Sequence, residues 1–230
     1  MTLYDTIFIR RSVRKYDCTP LNAETLTDIQ SVIDSAEQLS GQSARFTIVS
    51  ADALKGAASP YAILAHSENT DAALCNLGYA GQTLDLYLQS QGLGSLWMGM
   101  AKPTNPEPDY RILIAFGKTE QPVRNGERDF KRRSVLDVSN ADNPIARAAR
   151  LAPSAVNFQP WKIKFAPKKV ILQYTPKGIV KLLAPQFQKI DLGICLRHIE
   201  LALKHEGKTV TSITPAGSGK NFVVTIEYNN

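Results

Sequence analysis

The chain has 230 residues, 43% of them hydrophobic and 21% charged, with a formal net charge of +6. Length and composition are those of a globular body able to bury one large core or two small ones, and they exclude disorder over most of the chain. No run approaches the roughly 18 uninterrupted apolar residues of a membrane helix, and the opening MTLYDTIFIRR lacks the basic-then-apolar order of a signal peptide, so a cytoplasmic protein without a membrane partner is expected.

Cys18, Cys75 and Cys195 are odd in number, widely spaced and without a CxxC pair, which suggests free thiols and neither a disulfide framework nor a zinc site. The charge is unevenly spread. Residues 1–115 hold 8 Lys and Arg against 12 Asp and Glu, which leaves 19 against 9 for the rest. A basic surplus of this kind suits nucleic acid, anionic lipid or phosphate-bearing small molecules, and equally a solvated face with no ligand.

In chain order, a basic cluster, Arg10, Arg11, Ser12, Arg14 and Lys15, is followed by a helix expected near residues 21–36 and a strand at FTIVS, 46–50. A long helix near 72–91 and a strand at YRILIAFG, 110–117, come next. The polar stretch from Gly117 to Arg128, with Pro122 and Gly126, reads as a linker. Beyond it lie a helix near 143–151, the string APSAVNFQPW at 152–161, strands at WKIKFA and KVILQYT, a helix near 190–206 and a strand at NFVVTIEY. PAGSGK at 215–220 lacks phosphate-loop spacing and precedes a strand, so it reads as a hairpin-type turn. His66, His198 and His205 are scattered, and His198, inside an apolar helix, reads as a packed residue rather than a ligand. No metal-ligand cluster, Ser/His/Asp spacing or GxGxxG fingerprint is present.

The segments LGYAGQTLDLYLQSQG, 77–92, and LGICLRHIELALKHEG, 192–207, align without a gap at an offset of 115 residues. The same shift carries Phe46 onto Trp161 and Ile48 onto Ile163. A tandem repeat is therefore expected, 1–128 and 129–230, folding as one pseudo-symmetric body whose two lobes share a core.

Arg10-Arg11-Ser12-Val13-Arg14 together with Pro153 to Trp161 resembles the two flavin-contacting motifs of the nitroreductase family of FMN-dependent oxidoreductases. In that family both motifs fall within one half-length sequence. Here they lie in different copies: the first copy has Ser40-Gly41-Gln42-Ser43 where the second motif would fall, and the second has NGERD at 125–129 where RRSxR would fall. Family members are intertwined homodimers with FMN at the subunit interface. The resemblance thus implies an α+β fold of mixed or antiparallel sheets flanked by helices, a fused pseudo-dimer retaining one of its two cross-interface FMN sites. A single chain then suffices for one site, and a further homodimer is compatible with it.

FMN asks for particular side chains. Its near-dianionic phosphate requires fixed cationic donors, best supplied by arginine's planar fork. Arg10 and the run Lys131-Arg132-Arg133 are the candidates, since FKRRSVLDV at 130–138 is similar to the family's phosphate-reaching basic pair, here Lys131 and Arg133. Negative charge develops at the N1 and C2 carbonyl edge of the ring on reduction, so a fixed positive group there favours hydride transfer. By resemblance Arg14 is this catalytic group, with Arg11 and Ser12 on the ring edge and ribityl chain. Pro153, Ser154, Ala155, Asn157 and Gln159 are implied on the other side, in a loop that Pro153 and Pro160 hold extended. GLGSLWMG, 92–99, is similar to a family loop that would bring Trp97, Met98 and Gly99 near the flavin, and its glycines also read as a helix stop and a turn.

The expected activity is two-electron transfer from NADH or NADPH through FMN to an oxidised small molecule such as a nitroaromatic or quinone. Two other classes stand beside it: an FMN-binding protein of the same fold without nicotinamide-dependent turnover, and a basic nucleic-acid-binding protein. The last is disfavoured because the second half shows neither aromatic and basic interleaving nor a helix-turn-helix pattern.

Overall fold

The computed structural model describes residues 1–56, 58–178, 182 and 184–229. The described helices, apart from the last, which follows Ala184 and opens on proline, start where a side chain can take up free backbone N–H groups. Helix α1 (Leu3–Ile7) opens on Thr2 and Asp5, which cap one another reciprocally. Asn22 caps α2 (Ala23–Ser35) and Thr70 caps α3 (Asp71–Ser90). After the single turn α4 (Val135–Val138), α5 (Pro144–Arg150) begins at Asn143 with proline in its first turn. Helix α6 (Pro185–His205) begins five residues before the periodicity suggests. Its first turns contain Gln188 and Lys189, polar residues that are nevertheless buried and so disguise the apolar face.

Eight strands make two sheets. The first contains β1 (Ala44–Ser50), β3 (Tyr61–Ser67), β4 (Gly94–Met98) and β6 (Tyr110–Gly117), and β2 (Leu54–Lys55) pairs separately with β5 (Lys102–Pro103). The second contains β7 (Trp161–Ala166), β8 (Lys169–Tyr174), β9 (Thr209–Ala216) and β10 (Val223–Asn229). Their spatial orders are β1-β3-β6-β4 and β7-β8-β10-β9, with every neighbouring pair antiparallel. Counted along the chain, both sheets run first, second, fourth, third. The same topology is built twice, and among the described residues neither sheet takes a strand from the other half. On that ground we propose the division into copies 1–128 and 129–230. PAGSGK joins β9 to β10 as a hairpin connection.

Besides the two-residue strands β2 and β5, three strands of the two sheets escape the sequence patterns. Strand β3 is a central strand buried from Ala62 to Ser67, so it shows no polar alternation. Strand β4 follows the α3 stop at Gly92, where φ is +77°, and it replaces the turn expected there. Strand β9, TVTSITPA, lies at a sheet edge and carries few large apolar residues.

Helices α3 and α6 pack against each other between the sheets, and one core cluster takes Leu77, Leu84 and Leu88 from α3 and Leu192, Ile199 and Leu203 from α6. Their contact needs two glycines. A Cβ on Gly78 would stand 2.0 Å from the Ile190 carbonyl oxygen, and one on Gly193 would stand 1.8 Å from the Cys75 carbonyl oxygen. Each glycine meets the counterpart of the other's partner at the 115-residue offset, as at an interface with two-fold symmetry.

Candidate functional site

The basic motif is laid down by β4. Ser12 forms a parallel bridge with Ser95, and Val13 N–H donates to the Ser95 carbonyl at 2.9 Å. A hub beneath fixes this register. Asp85 of α3, fully buried, accepts hydrogen bonds from Arg10 Nε (3.0 Å), Gln82 Nε2 (3.0 Å) and Ser95 Oγ (2.6 Å). Gln82 in turn accepts from the Trp97 indole N–H at 3.1 Å. The sequence signal for this hub is Gln82, Asp85 and Gln89 at helical spacing on a largely apolar helix, three polar side chains facing one way.

The second motif is a tight loop. Contrary to the extended shape expected from its prolines, Ala155–Asn157 forms one 3-10 turn, and Val156, Asn157 and Gln159 have φ of 51°, 58° and 49°. Positive φ is unfavourable for β-branched valine, so the loop must be over-determined by its contacts. Ala155 N–H donates to both Asp191 oxygens (3.0 and 3.1 Å), and Gln159 N–H donates to Ser154 Oγ (3.0 Å). Asn157 Nδ2 donates to the Lys131 carbonyl at 2.8 Å, Arg132 Nη1 donates to Asn157 Oδ1 at 2.7 Å, and Arg133 N–H donates to Gln159 Oε1 at 3.0 Å.

These two motifs share one pocket. Ser12, Arg14, Trp97, Gly99, Pro153, Ser154, Ala155 and Val156 line it, with Leu96, Ile112, Ile190 and Ile194 as apolar walls. Phe187 and Asp191 of α6 complete it, and neither was singled out from the sequence. A Cβ on Gly99 would stand 2.8 Å from the far edge of the Phe187 ring, so the bare backbone there lets the ring lie close against the end of β4.

Other expected site residues lie elsewhere. Arg10 is buried against Asp85. Arg11 is fastened by its N–H to Gln89 Oε1 (2.8 Å) and by Nη1 to the Pro122 carbonyl (2.6 Å). Met98 faces away, packed on the cluster of Ala62, Leu64 and Leu113. Asn157 bonds to Lys131 and Arg132, and Gln159 accepts from Arg133 N–H while donating its Nε2 to the Asn157 carbonyl. In that run Lys131 and Arg133 are exposed, while Arg132, half-buried, makes the ordered side-chain contacts.

Behind the loop lies a cationic cluster. Arg10 Nη2, Arg132 Nε and Arg150 Nε are buried and have no hydrogen-bond partner among the described residues. Burial, then the charges of Arg10, Arg124 and Arg150, push the Arg132 guanidinium below its ordinary value. Arg124 is pushed down in the same way, by burial and by Arg10 and Arg11. The Arg124 and Arg132 guanidinium carbons lie 4.3 and 5.6 Å from the centre of the Phe130 ring. Glu127 pairs with Arg150, and free N–H groups remain for an anion. Phosphate chemistry fits this donor set, and an apolar ring with polar edges fits the pocket that Ser12, Arg14 and Pro153–Val156 line.

His198 is packed, as its position in an apolar helix suggested. Its ring lies between the Ala148 carbonyl (3.0 Å) and Gln82 Nε2 (3.2 Å), and burial pushes it down to about 3. Among the described residues one group, His66, Glu107 and Asp109, brings possible metal-ligating atoms together. The Arg45 guanidinium already bridges its two carboxylates at 2.7 and 3.4 Å, where a cation would sit. No helix among the described residues is long and apolar enough to cross a membrane.

With fold and pocket in place, the comparisons define the class. The family described as "Putative TM nitroreductase" matches residues 2–203, and the chain belongs to this nitroreductase family. The fold is similar to that of the crystal structure of a putative nitroreductase from Thermotoga maritima MSB8, with TM-score 0.73, 24% identity and coverage of 100% of this chain and 95% of that one. More distant are an FMN-dependent nitroreductase from Clostridium difficile R20291 (20% identity, TM-score 0.43, 53% and 91% covered) and a nitroreductase family protein from Clostridium novyi NT (18%, 0.42, 53% and 87%). No curated protein matches the chain.

Proposed function

We propose that the chain is an FMN-dependent oxidoreductase that passes two electrons from NADH or NADPH to a small-molecule acceptor such as a nitroaromatic or a quinone. The observation that carries this reading is the single pocket into which Ser12 and Arg14 of one copy and Pro153–Val156 of the other converge. Membership of the nitroreductase family supports the same reaction class.

When bound, FMN would supply reversible two-electron chemistry. The chain's residues would do the rest. Leu96, Trp97, Ile112 and Ile194 keep water from the ring, Arg14 favours negative charge at its edge, and the guanidiniums of Arg10, Arg132 and Arg150 answer the phosphate. This assignment moves the phosphate contact from Lys131 and Arg133 to Arg132 and adds Arg150.

One FMN per chain is expected, because Ser40–Ser43 and residues 125–129 do not repeat the two motifs. The test is an absorbance spectrum of the purified chain, followed by FMN titration and anaerobic addition of NADH or NADPH. A yellow preparation with one flavin per chain, bleached by the nicotinamide, supports the assignment. Absence of FMN binding refutes it, and flavin that neither nicotinamide bleaches leaves a flavin-binding protein without this turnover.

A further inference from the structure

The two long helices carry one position twice, with different side chains. Asn76 of α3 and Asp191 of α6 stand one 115-residue offset apart, and they are 0% and 4% exposed. Each holds the loop that leads into the first strand of its sheet. Asn76 Oδ1 accepts Leu39 N–H at 2.7 Å, as Asp191 accepts Ala155 N–H. Asn76 then completes its bonding by donating Nδ2 to Gln38 Oε1 at 2.7 Å. Fastening the loop therefore requires nothing ionisable.

At 191 the chain has a carboxyl instead, in the copy whose loop lines the pocket with Ser12 and Arg14. Ala155 N–H is its single hydrogen-bond partner among the described residues. A carboxylate so placed would be buried with one neutral donor for several lone pairs, which is costly, whereas a carboxylic acid is not. Arg14 lines the same pocket, Tyr174 of β8 and Cys195 of α6 lie within electrostatic reach, and none of these pairs with Asp191. Burial accordingly raises the Asp191 carboxyl well above the usual carboxylate range.

We propose that Asp191 is the proton-bearing group of this pocket, a carboxylic acid whose O–H is presented as a hydrogen-bond donor to the acceptor edge of the bound ring. The proposal rests on the flavin reading for the identity of that ring. A neutral acid fixed where negative charge collects stabilises the charge without bringing a full charge of its own. A purely structural residue needs only what Asn76 provides.

Infrared spectroscopy of the full chain and of Asp191→Asn at pH 7, each without and with FMN, tests this. A protonated-carboxyl band is expected in the parent chain, absent from Asp191→Asn and moved to lower frequency when FMN is added. Asp191→Asn should fold normally, by the precedent of Asn76. FMN affinity of the parent should fall as pH rises and Asp191 ionises, while that of Asp191→Asn stays flat. Asp191→Leu, which keeps the branched outline but neither donor nor acceptor, should bind FMN roughly two- to tenfold more weakly. Identical carboxyl regions in parent and Asp191→Asn, or a band that FMN leaves in place with pH profiles that coincide, overturn the proposal. A parent chain that takes up no FMN overturns the flavin reading instead, and the band of the ligand-free chain then decides on the acid by its presence or absence.

Discussion

Arg10 and Asp85 form an ion pair at 3.0 Å, with side chains 1% and 0% exposed. Because Asp85 also accepts from Ser95, the same acid ties the basic motif to β4 and thereby sets Ser12 and Arg14 at the pocket. Arg10→Ala would leave a buried carboxylate without its cation, at a cost of about 3–5 kcal/mol. Denaturant unfolding of this variant should show a loss of that size, and an unchanged midpoint would contradict the hub.

The helix crossing makes a second prediction. Gly78→Ala and Gly193→Ala each push a methyl group into a backbone carbonyl of the facing helix. Each should destabilise by about 1–3 kcal/mol, towards the upper end because backbone cannot rotate away. The double variant should lose less than the sum of the two, since either methyl group alone already separates the helices. Strict additivity in thermal unfolding would show that the two contacts relax independently.

Arg14 lines the pocket and is otherwise solvent-exposed. In a flavin-saturated chain, Arg14→Ala should slow stopped-flow reduction of FMN by NADH or NADPH more than it weakens FMN binding. An unchanged rate would restrict Arg14 to a binding role.

The guanidinium cluster predicts which basic residue recognises phosphate. FMN should bind more tightly than riboflavin, and Arg132→Ala should remove most of that difference, about 1.5–3 kcal/mol or roughly ten- to a hundredfold in affinity. Lys131→Ala, changing an exposed side chain, should preserve it. Parallel titrations of both ligands decide between the two residues, and a larger loss in Lys131→Ala would move the phosphate site to the surface.

His198 predicts a pH dependence. Its folded value, about 3, lies below the ordinary histidine value near 6.5, so the unfolded chain takes up this proton first as pH falls. Its stabilisation is whole above about pH 6.5 and is lost progressively towards pH 3, up to about 4–5 kcal/mol. Asp191 acts with the opposite sign, because the folded chain keeps a proton that the unfolded chain releases once pH rises above about 4. Denaturant titrations across this range should give a shallower acid-side slope for His198→Gln than for the parent chain. Equal slopes would mean that His198 is not held neutral.

Local pattern was enough to define much of this protein. The apolar spacing and terminal glycines of LGYAGQTLDLYLQSQG and LGICLRHIELALKHEG mark both long helices, and their common offset is the ground for the proposed two copies, because helical period and helix stops are properties of neighbouring residues. Strands β6 and β7 have the bounds their sequences suggested. The two motifs that meet at the pocket were legible as strings. Side-chain direction was not, because it depends on partners far along the chain. Arg10 turns to Asp85, 75 residues away, and Asn157 and Gln159 turn back to residues 131–133. Nothing local distinguishes Asp191 from a solvated helical aspartate, or Asn76 from an ordinary polar residue. Only the packing of α6 beneath the 153–159 loop removes Asp191 from water, and withdrawal from solvent is what turns an ordinary carboxyl into a proton-holding one.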